Sequence, residues 1–434
     1  MWCVITDRVS ARGSGRREVL LAAAERFGTP CYVYFADRIR ARIDTVRDAL
    51  GGRFGISYAV KSNPNMGLID RIRDRCVTLD VSSIGEVERC LAIGASASDL
   101  TFSGPAKREE ELARSVEVGV GEMVCESVQE AFLLDRLAGE AGKVMHVMIR
   151  INPKRSPKQF GVNMSGKPSQ FGVDEEEMPR AIDAVLGMRN LRLIGFHIYS
   201  GTNSLSVEAI SENFSIFIDL FSRFSEMYEL VPEKLVFGSG FGVPYHDGDE
   251  PLDLPSLATR LNDQIDAMRE NPRLAKAALA LEMGRYLVAP EGFLLTRVIR
   301  KKASRGTDIC LCDAGFNNHL AACGMMGTII RRNWPIENVS NTGAASAKEY
   351  TLVGPLCTTI DILASDIELP ETNDGDVLAV GSSGAYGHTA SPARFISHPE
   401  PREILAIEHG GSVEFVDVSE SPRTPDYVSV ISRD

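Results

Sequence analysis

The sequence predicts an α/β protein: a (β/α)8 TIM barrel followed by a C-terminal β-domain. Three observations carry this expectation. Between about residues 54 and 282, eight short β-rich runs alternate with stretches of helical periodicity, the signature of a parallel sheet closed by crossover helices. After about residue 290 that periodicity stops and extended, β-branched runs take over. No glycine-rich phosphate turn follows the first strand of the alternation, as an open doubly wound sheet would require.

In chain order, residues 1–35 hold one helix (Arg17–Phe27) and one strand (Cys31–Tyr34), expected to pack back on the β-domain. Residues 36–290 form the barrel. Its strands are expected at Phe54–Val60, Val77–Val81, Leu100–Gly104, Glu122–Glu126, Val144–Asn152, Leu191–Tyr199, Lys234–Gly240 and Ala277–Glu282. Ser127–Gly142 and Val207–Leu230 are two of the helices between them. The β-domain, residues 291–434, has candidate strands at Phe293–Ile299, Asp308–Asp313, Tyr350–Val353, Val377–Val380, Ile404–Ile407 and Val413–Val418. Turn residues separate them (Asn341-Thr342-Gly343, Asn373-Asp374-Gly375, His409-Gly410-Gly411). A local echo, Gln159-Phe160-Gly161-Val162 and Gln170-Phe171-Gly172-Val173, marks a long loop after the fifth barrel strand.

Composition narrows the function classes. The net charge of −12 disfavours a general nucleic-acid binder, and no apolar run is long enough to span a membrane. The stretch Met1 to Arg17 is interrupted by charges and does not read as a signal peptide. Nine cysteines without framework spacing read as free thiols in a reducing cytoplasm. Cys310 and Cys312 lie in an apolar run and read as core residues facing one way, not as a metal site.

Chemistry in a barrel gathers at the C-terminal ends of its strands. The first run ends in Lys61; an amine in a dry barrel mouth is a nucleophile toward an aldehyde. The sixth ends in His197-Ile198-Tyr199-Ser200-Gly201, placing an imidazole where an aromatic ring can stack. The seventh ends in Gly238-Ser239-Gly240-Phe241-Gly242, whose backbone N–H groups can converge on a phosphate. The eighth ends in Glu282-Met283-Gly284-Arg285, a carboxylate suited to a protonated heterocyclic nitrogen. Amine, imidazole, phosphate turn and carboxylate together fit a phosphorylated pyridine aldehyde, pyridoxal 5'-phosphate.

These segments resemble the fold-type III, alanine-racemase-like pyridoxal-phosphate decarboxylases, the family of diaminopimelate, ornithine and arginine decarboxylases. Further shared motifs are Tyr58-Ala59-Val60-Lys61, Asp80-Val81-Ser82-Ser83, Phe102-Ser103-Gly104-Pro105, Arg150-Ile151-Asn152-Pro153, Gly354-Pro355-Leu356-Cys357 with Asp361, and Gly384-Ala385-Tyr386-Gly387. The resemblance implies that Lys61 carries the cofactor as a Schiff base, that His197 stacks on its ring, and that Glu282 keeps its pyridine nitrogen protonated. It also implies cofactor contacts from Asp80, Ser200, Gly238, Ser239, Gly240, Gly284, Arg285 and Tyr386. Cys357 and Asp361 resemble a pair that completes the partner subunit's site in a homodimer. By that likeness Cys357 supplies the proton that replaces carbon dioxide, and Asp361 faces the substrate.

Two departures bear on the substrate. Thr358 follows Cys357 where the diaminopimelate enzymes have an acidic residue, and Asp313-Ala314-Gly315-Phe316-Asn317-Asn318-His319-Leu320-Ala321-Ala322-Cys323 lacks their arginine. The resemblance is stronger to the subgroup that decarboxylates a glutamyl group on an acyl carrier protein in butirosin biosynthesis, which implies a carrier-protein partner. Arg300, Lys301, Lys302, Arg305, Arg331 and Arg332 are candidates for its docking, or a solvated charged strand edge. The alternatives are decarboxylation of a free amino acid such as diaminopimelate or ornithine, and a non-catalytic binding homologue.

Overall fold

A computed structural model describes residues 6–9, 15–157, 160, 162–163, 165–325, 332–342 and 347–420. The chain forms two compact units, residues 38–290 and residues 1–37 together with 291–434.

Residues 38–290 contain the eight parallel strands of a barrel: β1 (Gly55–Ala59), β2 (Thr78–Val81), β3 (Leu100–Phe102), β4 (Glu122–Cys125), β5 (Met145–Asn152), β6 (Leu191–Ile198), β7 (Lys234–Gly238) and β8 (Ala278–Met283). They pair in sequence around the ring, β8 pairs with β1, and β5 with β6, so no edge is left open. All five residues of β7 are buried, as expected of a strand covered on both faces. The intervening helices begin at side-chain caps: Ser83, Ser127 and Ser206 accept the N–H of Glu86, Glu130 and Ala209. The long helix Val207–Met227 presents Phe214, Phe217 and Phe221, which meet Phe237 of β7 at ring distances of 5.3, 6.0 and 5.1 Å. Each such buried ring contributes about 1.5–3 kcal/mol, fixing the outer layer against the strand that ends in the glycine turn.

The second unit is built on a ten-stranded sheet drawn from both ends of the sequence. Cys31–Phe35 lies between Gly292–Ser304, antiparallel to it, and Arg402–His409, parallel to it. Helix Arg16–Phe27 covers this sheet with Val19, Leu20, Ala23 and Ala24. Strand Thr307–Cys312 buries Cys310 and Cys312, the core role expected for that pair, and no cluster of metal-ligating side chains exists among the described residues.

Several features differ from expectation: residues 1–35 hold a second strand, Thr6–Val9, antiparallel to Ser412–Asp417, and an unforeseen short strand, Ile336–Asn338, pairs with Val377–Val380. Strand Gly292–Ser304 continues past residue 299 because its charged end, Arg300–Lys302, pairs with Thr307–Cys312 as an exposed hairpin arm. Strand Ile362–Leu369 was not foreseen: Asp366 adopts φ +51°, and irregular pairing with Lys348–Val353 breaks its alternation. Within the long loop, Val162–Asn163 pairs with Gly201–Thr202; Gln159 and Gly161 of the echo lie outside the described residues. Gly343 of the Asn341 turn and Arg331 of the basic group lie outside them too. No helix among the described residues is long and apolar enough to cross a membrane.

Candidate active site

The barrel strand ends assemble one buried charged cluster. Lys61 sits in a single 3-10 turn, Val60–Ser62, directly after β1. Its Nζ lies 3.2 Å from Asp80 Oδ2 at the end of β2 and 3.4 Å from Glu282 Oε1 on β8. His197 of β6 meets Glu282 Oε2 through Nε2 at 2.7 Å, and Ser103 Oγ donates to Asp80 Oδ1 at 2.7 Å. Asp80, His197 and Glu282 are at most 3% exposed, whereas the Lys61 side chain is 39% exposed. The only member open to an incoming aldehyde is therefore the amine.

Two buried carboxylates this close cannot both ionise freely. Burial, then the charge of Glu282, pushes Asp80 up to about 8, against the pull of Lys61. Burial also opposes charge on Glu282, but Lys61 and the His197 hydrogen bond outweigh it and hold that carboxyl below its usual range. The asymmetry follows from the contacts: Glu282 has a cation and an imidazole, Asp80 a cation shared with Glu282 and a hydroxyl.

Glycines shape the neighbouring turns. Gly240 has φ +67°, and a Cβ there would come within 2.5 Å of the Phe160 ring. On Gly284 a Cβ would press on the Ser62 side chain at 2.7 Å. The Gly238–Gly242 turn is anchored by Ser239 N–H donating to the Glu282 carbonyl at 3.1 Å, so the turn and the carboxylate move together. Arg285 Nη1 donates to Tyr245 Oη at 3.0 Å.

A second buried network was missed by sequence reasoning. Glu126, just past β4, accepts Arg150 Nη1 at 2.8 Å, Gly104 N–H at 2.9 Å and Gly172 N–H at 2.7 Å. Arg150 stacks on Phe171, 4.6 Å from the ring, and lies beside His197 in the β5–β6 register. The available signal was a charged side chain inside the apolar run of the fifth strand, which requires a buried partner.

With this geometry in place, comparison with known proteins is decisive. The pyridoxal-binding domain of the pyridoxal-dependent decarboxylases matches residues 36–289. The chain belongs to this family. It is 34% identical over 400 residues to the L-glutamyl-[BtrI acyl-carrier protein] decarboxylase of Niallia circulans, covering 92% of each chain. It is 32% identical to the diaminopimelate decarboxylase of Pseudomonas aeruginosa, covering 85% of each. The crystal structure of diaminopimelate decarboxylase from M. jannaschii superposes with a TM-score of 0.83 at 25% identity, covering 96% of this chain and 94% of that one.

The protein is thus a pyridoxal-phosphate-dependent decarboxylase with the barrel and β-domain architecture expected from its sequence. The site fits the cofactor on its own evidence. Lys61 presents an amine that could hold the aldehyde, and the Glu282 carboxyl, held below its usual range, could face a protonated pyridine nitrogen. His197 Nδ1 and Ser200 Oγ are buried without a hydrogen-bond partner, as groups awaiting a ligand would be.

In the β-domain, Cys357 is exposed on the turn after Lys348–Val353, and Tyr386, at φ +53°, follows Val377–Val380. The expectation that Asp361 faces the substrate needs correction. Asp361 is 2% exposed, and its two carboxylate oxygens accept the Phe316 and Leu356 N–H groups, each at 2.8 Å.

Proposed function

We propose that this decarboxylase removes the α-carboxylate of an aminoacyl group, glutamyl-like, held on an acyl carrier protein in specialised metabolism in the cytoplasm. The observation that carries the substrate reading is the segment Phe316–Cys323. It has no group that is charged at neutral pH, because burial pushes its one titrating imidazole, His319, down to about 3. The diaminopimelate enzymes carry an arginine suited to the distal carboxylate in this segment; without it a free diamino diacid would keep an uncompensated charge, at a cost on the order of several kcal/mol. A tethered acyl group has no distal α-centre to satisfy. The name of the Niallia circulans relative supports the same reading.

Bound pyridoxal phosphate supplies the electron sink for the departing carboxylate. Lys61 would hold the cofactor, Glu282 would keep its pyridine nitrogen protonated, and His197, which holds Glu282, would stack on the ring. By the family resemblance Asp80, Ser200, Gly238, Ser239, Gly240, Gly284, Arg285 and Tyr386 would supply the remaining cofactor contacts. Cys357 delivers the proton that takes the place of carbon dioxide.

We place Cys357 in the partner's site of a homodimer. Its exposure supports this, together with the exposed apolar side chains of Ile360, Phe395 and Ile396 (54%, 45% and 49%) on the same domain. Phe395 packs on Phe316, whose N–H is held by Asp361, so the apolar group and the Cys357 turn are contiguous. Carbon dioxide release should be measured with glutamyl-carrier protein and with free glutamate, diaminopimelate, ornithine and arginine. Turnover confined to the free amino acids overturns the carrier reading and favours the activity named for the Pseudomonas relative.

A further inference from the structure

Cys357 is one residue past a carboxylate clamp. Asp361 Oδ2 accepts the Leu356 N–H and Oδ1 the Phe316 N–H, so one side chain ties the Gly354–Cys357 turn to the loop after strand Thr307–Cys312. The backbone closes the same turn: Gly354 N–H donates to the Asp361 carbonyl at 3.0 Å, and Thr358 N–H to the Leu356 carbonyl at 2.8 Å. A side chain on either Gly315 or Gly354 would overlap the Asp361 carboxylate, which is why both positions are glycine. Leu356 buries its side chain in the core with Phe316, Leu352 and Leu363. The thiol of Cys357 stands outside this anchored framework, exposed.

We propose that Asp361 is a positioning residue that fixes the Cys357 thiol, and does not itself contact substrate. The proposal rests on Cys357 being the proton donor. Proton delivery to one face of a carbon loses rate when the donor is displaced by about 1 Å. A carboxylate gripping two backbone N–H groups from different loops removes that freedom. An amide at the same place would set an NH2 group against one of those N–H donors and release one loop from the other.

The test compares Asp361→Asn, Gly315→Ala and Cys357→Ala. Hydrogen exchange is read on peptides covering 354–358 and 315–317 of the protein without added substrate, and kcat and KM on the holoenzyme. Asp361→Asn should speed exchange at Leu356 or Phe316 at least about tenfold, lower kcat by a similar factor and leave KM within about threefold. Gly315→Ala lies far from Cys357 in sequence, yet should reproduce both changes by pushing on the carboxylate. Adding Cys357→Ala to Asp361→Asn should cost less than Cys357→Ala alone, because the thiol has already lost its placement. Unchanged exchange with a raised KM in Asp361→Asn overturns the proposal and returns Asp361 to substrate contact. A Gly315→Ala protein that keeps wild-type exchange and kcat overturns it as well, even if Asp361→Asn does not fold. Full kcat in Cys357→Ala defeats the proton-donor reading instead, whatever the exchange data show.

Discussion

The barrel and the β-domain hold their reactive groups by different physical means. At the barrel strand ends Asp80, Lys61, Glu282 and His197 form a chain of contacts in that order, three of the four are buried, and the strands beneath them are tied together. On the β-domain Cys357 makes no such charged contact; its turn is held by backbone hydrogen bonds and one buried carboxylate. Chemistry in the first region is tied to electrostatics and folding. In the second, position and stability are separable, and mutations should reveal that contrast.

The largest effect is expected at Lys61. Lys61→Ala should abolish carbon dioxide release, by roughly 10^4-fold or more, and abolish borohydride fixation of added pyridoxal phosphate on the peptide containing residue 61, read by mass spectrometry. Glu282→Ala comes next and should strike both properties. It should lower kcat by about 10^2-fold or more and destabilise the apoprotein by about 1–2 kcal/mol, because buried His197 loses its hydrogen-bond partner and the partly exposed Lys61 amine loses its ionised neighbour. Cys357→Ala should lower kcat by about 10^2–10^4-fold while leaving the melting temperature within a degree or two, since the side chain is exposed. A thermal shift as large as that of Glu282→Ala would erase the contrast. Mixed Lys61→Ala and Cys357→Ala proteins should recover partial activity if the site is shared between subunits; no recovery despite subunit exchange counts against sharing.

Smaller effects sharpen the electrostatic side. Asp80 has a folded pKa of about 8, raised above its unfolded value, so the folded state binds the extra proton between those values. Its contribution is present at low pH and fades as pH rises toward 8. Glu282 has the opposite sign: its contribution is present above the unfolded value and is lost on acidification. Melting curves of apoprotein from pH 5 to 9 should therefore show wild type losing a few degrees relative to Asp80→Asn as the medium becomes alkaline. A constant difference contradicts the shared-proton picture. The smallest expected effect is on docking: reversing Arg300 and Lys302 to Glu should raise KM for a carrier-bound substrate only a few-fold, most visibly at low salt.

How much of this was legible in the sequence follows from the same contrast. Strand-helix alternation is written into side chains, so all eight barrel strands lay within a few residues of their expected bounds, and the residues at their ends could be placed from that count. Lys61, His197 and Glu282 were readable because charged or polar groups ending apolar strands require partners. Glu126 ended the fourth expected strand in the same way and was passed over. Its partners are two glycine N–H groups and Arg150, and backbone donors leave no trace in a sequence. Asp361 was misread for a related reason. A carboxylate close to a reactive thiol looks like a ligand group until its oxygens are seen to be taken by Phe316 and Leu356 N–H. Strand Ile362–Leu369 escaped because its pairing is irregular and its alternation imperfect.

The shared sheet of the β-domain also sets an order of events during synthesis. Strand Cys31–Phe35 leaves the ribosome early, but its parallel neighbour Arg402–His409 is made far later, and the Tyr34 hydroxyl waits for a carboxylate 369 residues downstream, on Glu403. At about 5–20 residues per second that is a delay of roughly 20–75 seconds. The barrel, whose last strand ends at Met283, has all its strands available before then. Through that interval an apolar strand with an unpaired edge is exposed on the nascent chain, the kind of segment chaperones recognise. Chains truncated before residue 402 should therefore be found with chaperones or in inclusion bodies, even though every barrel strand is present.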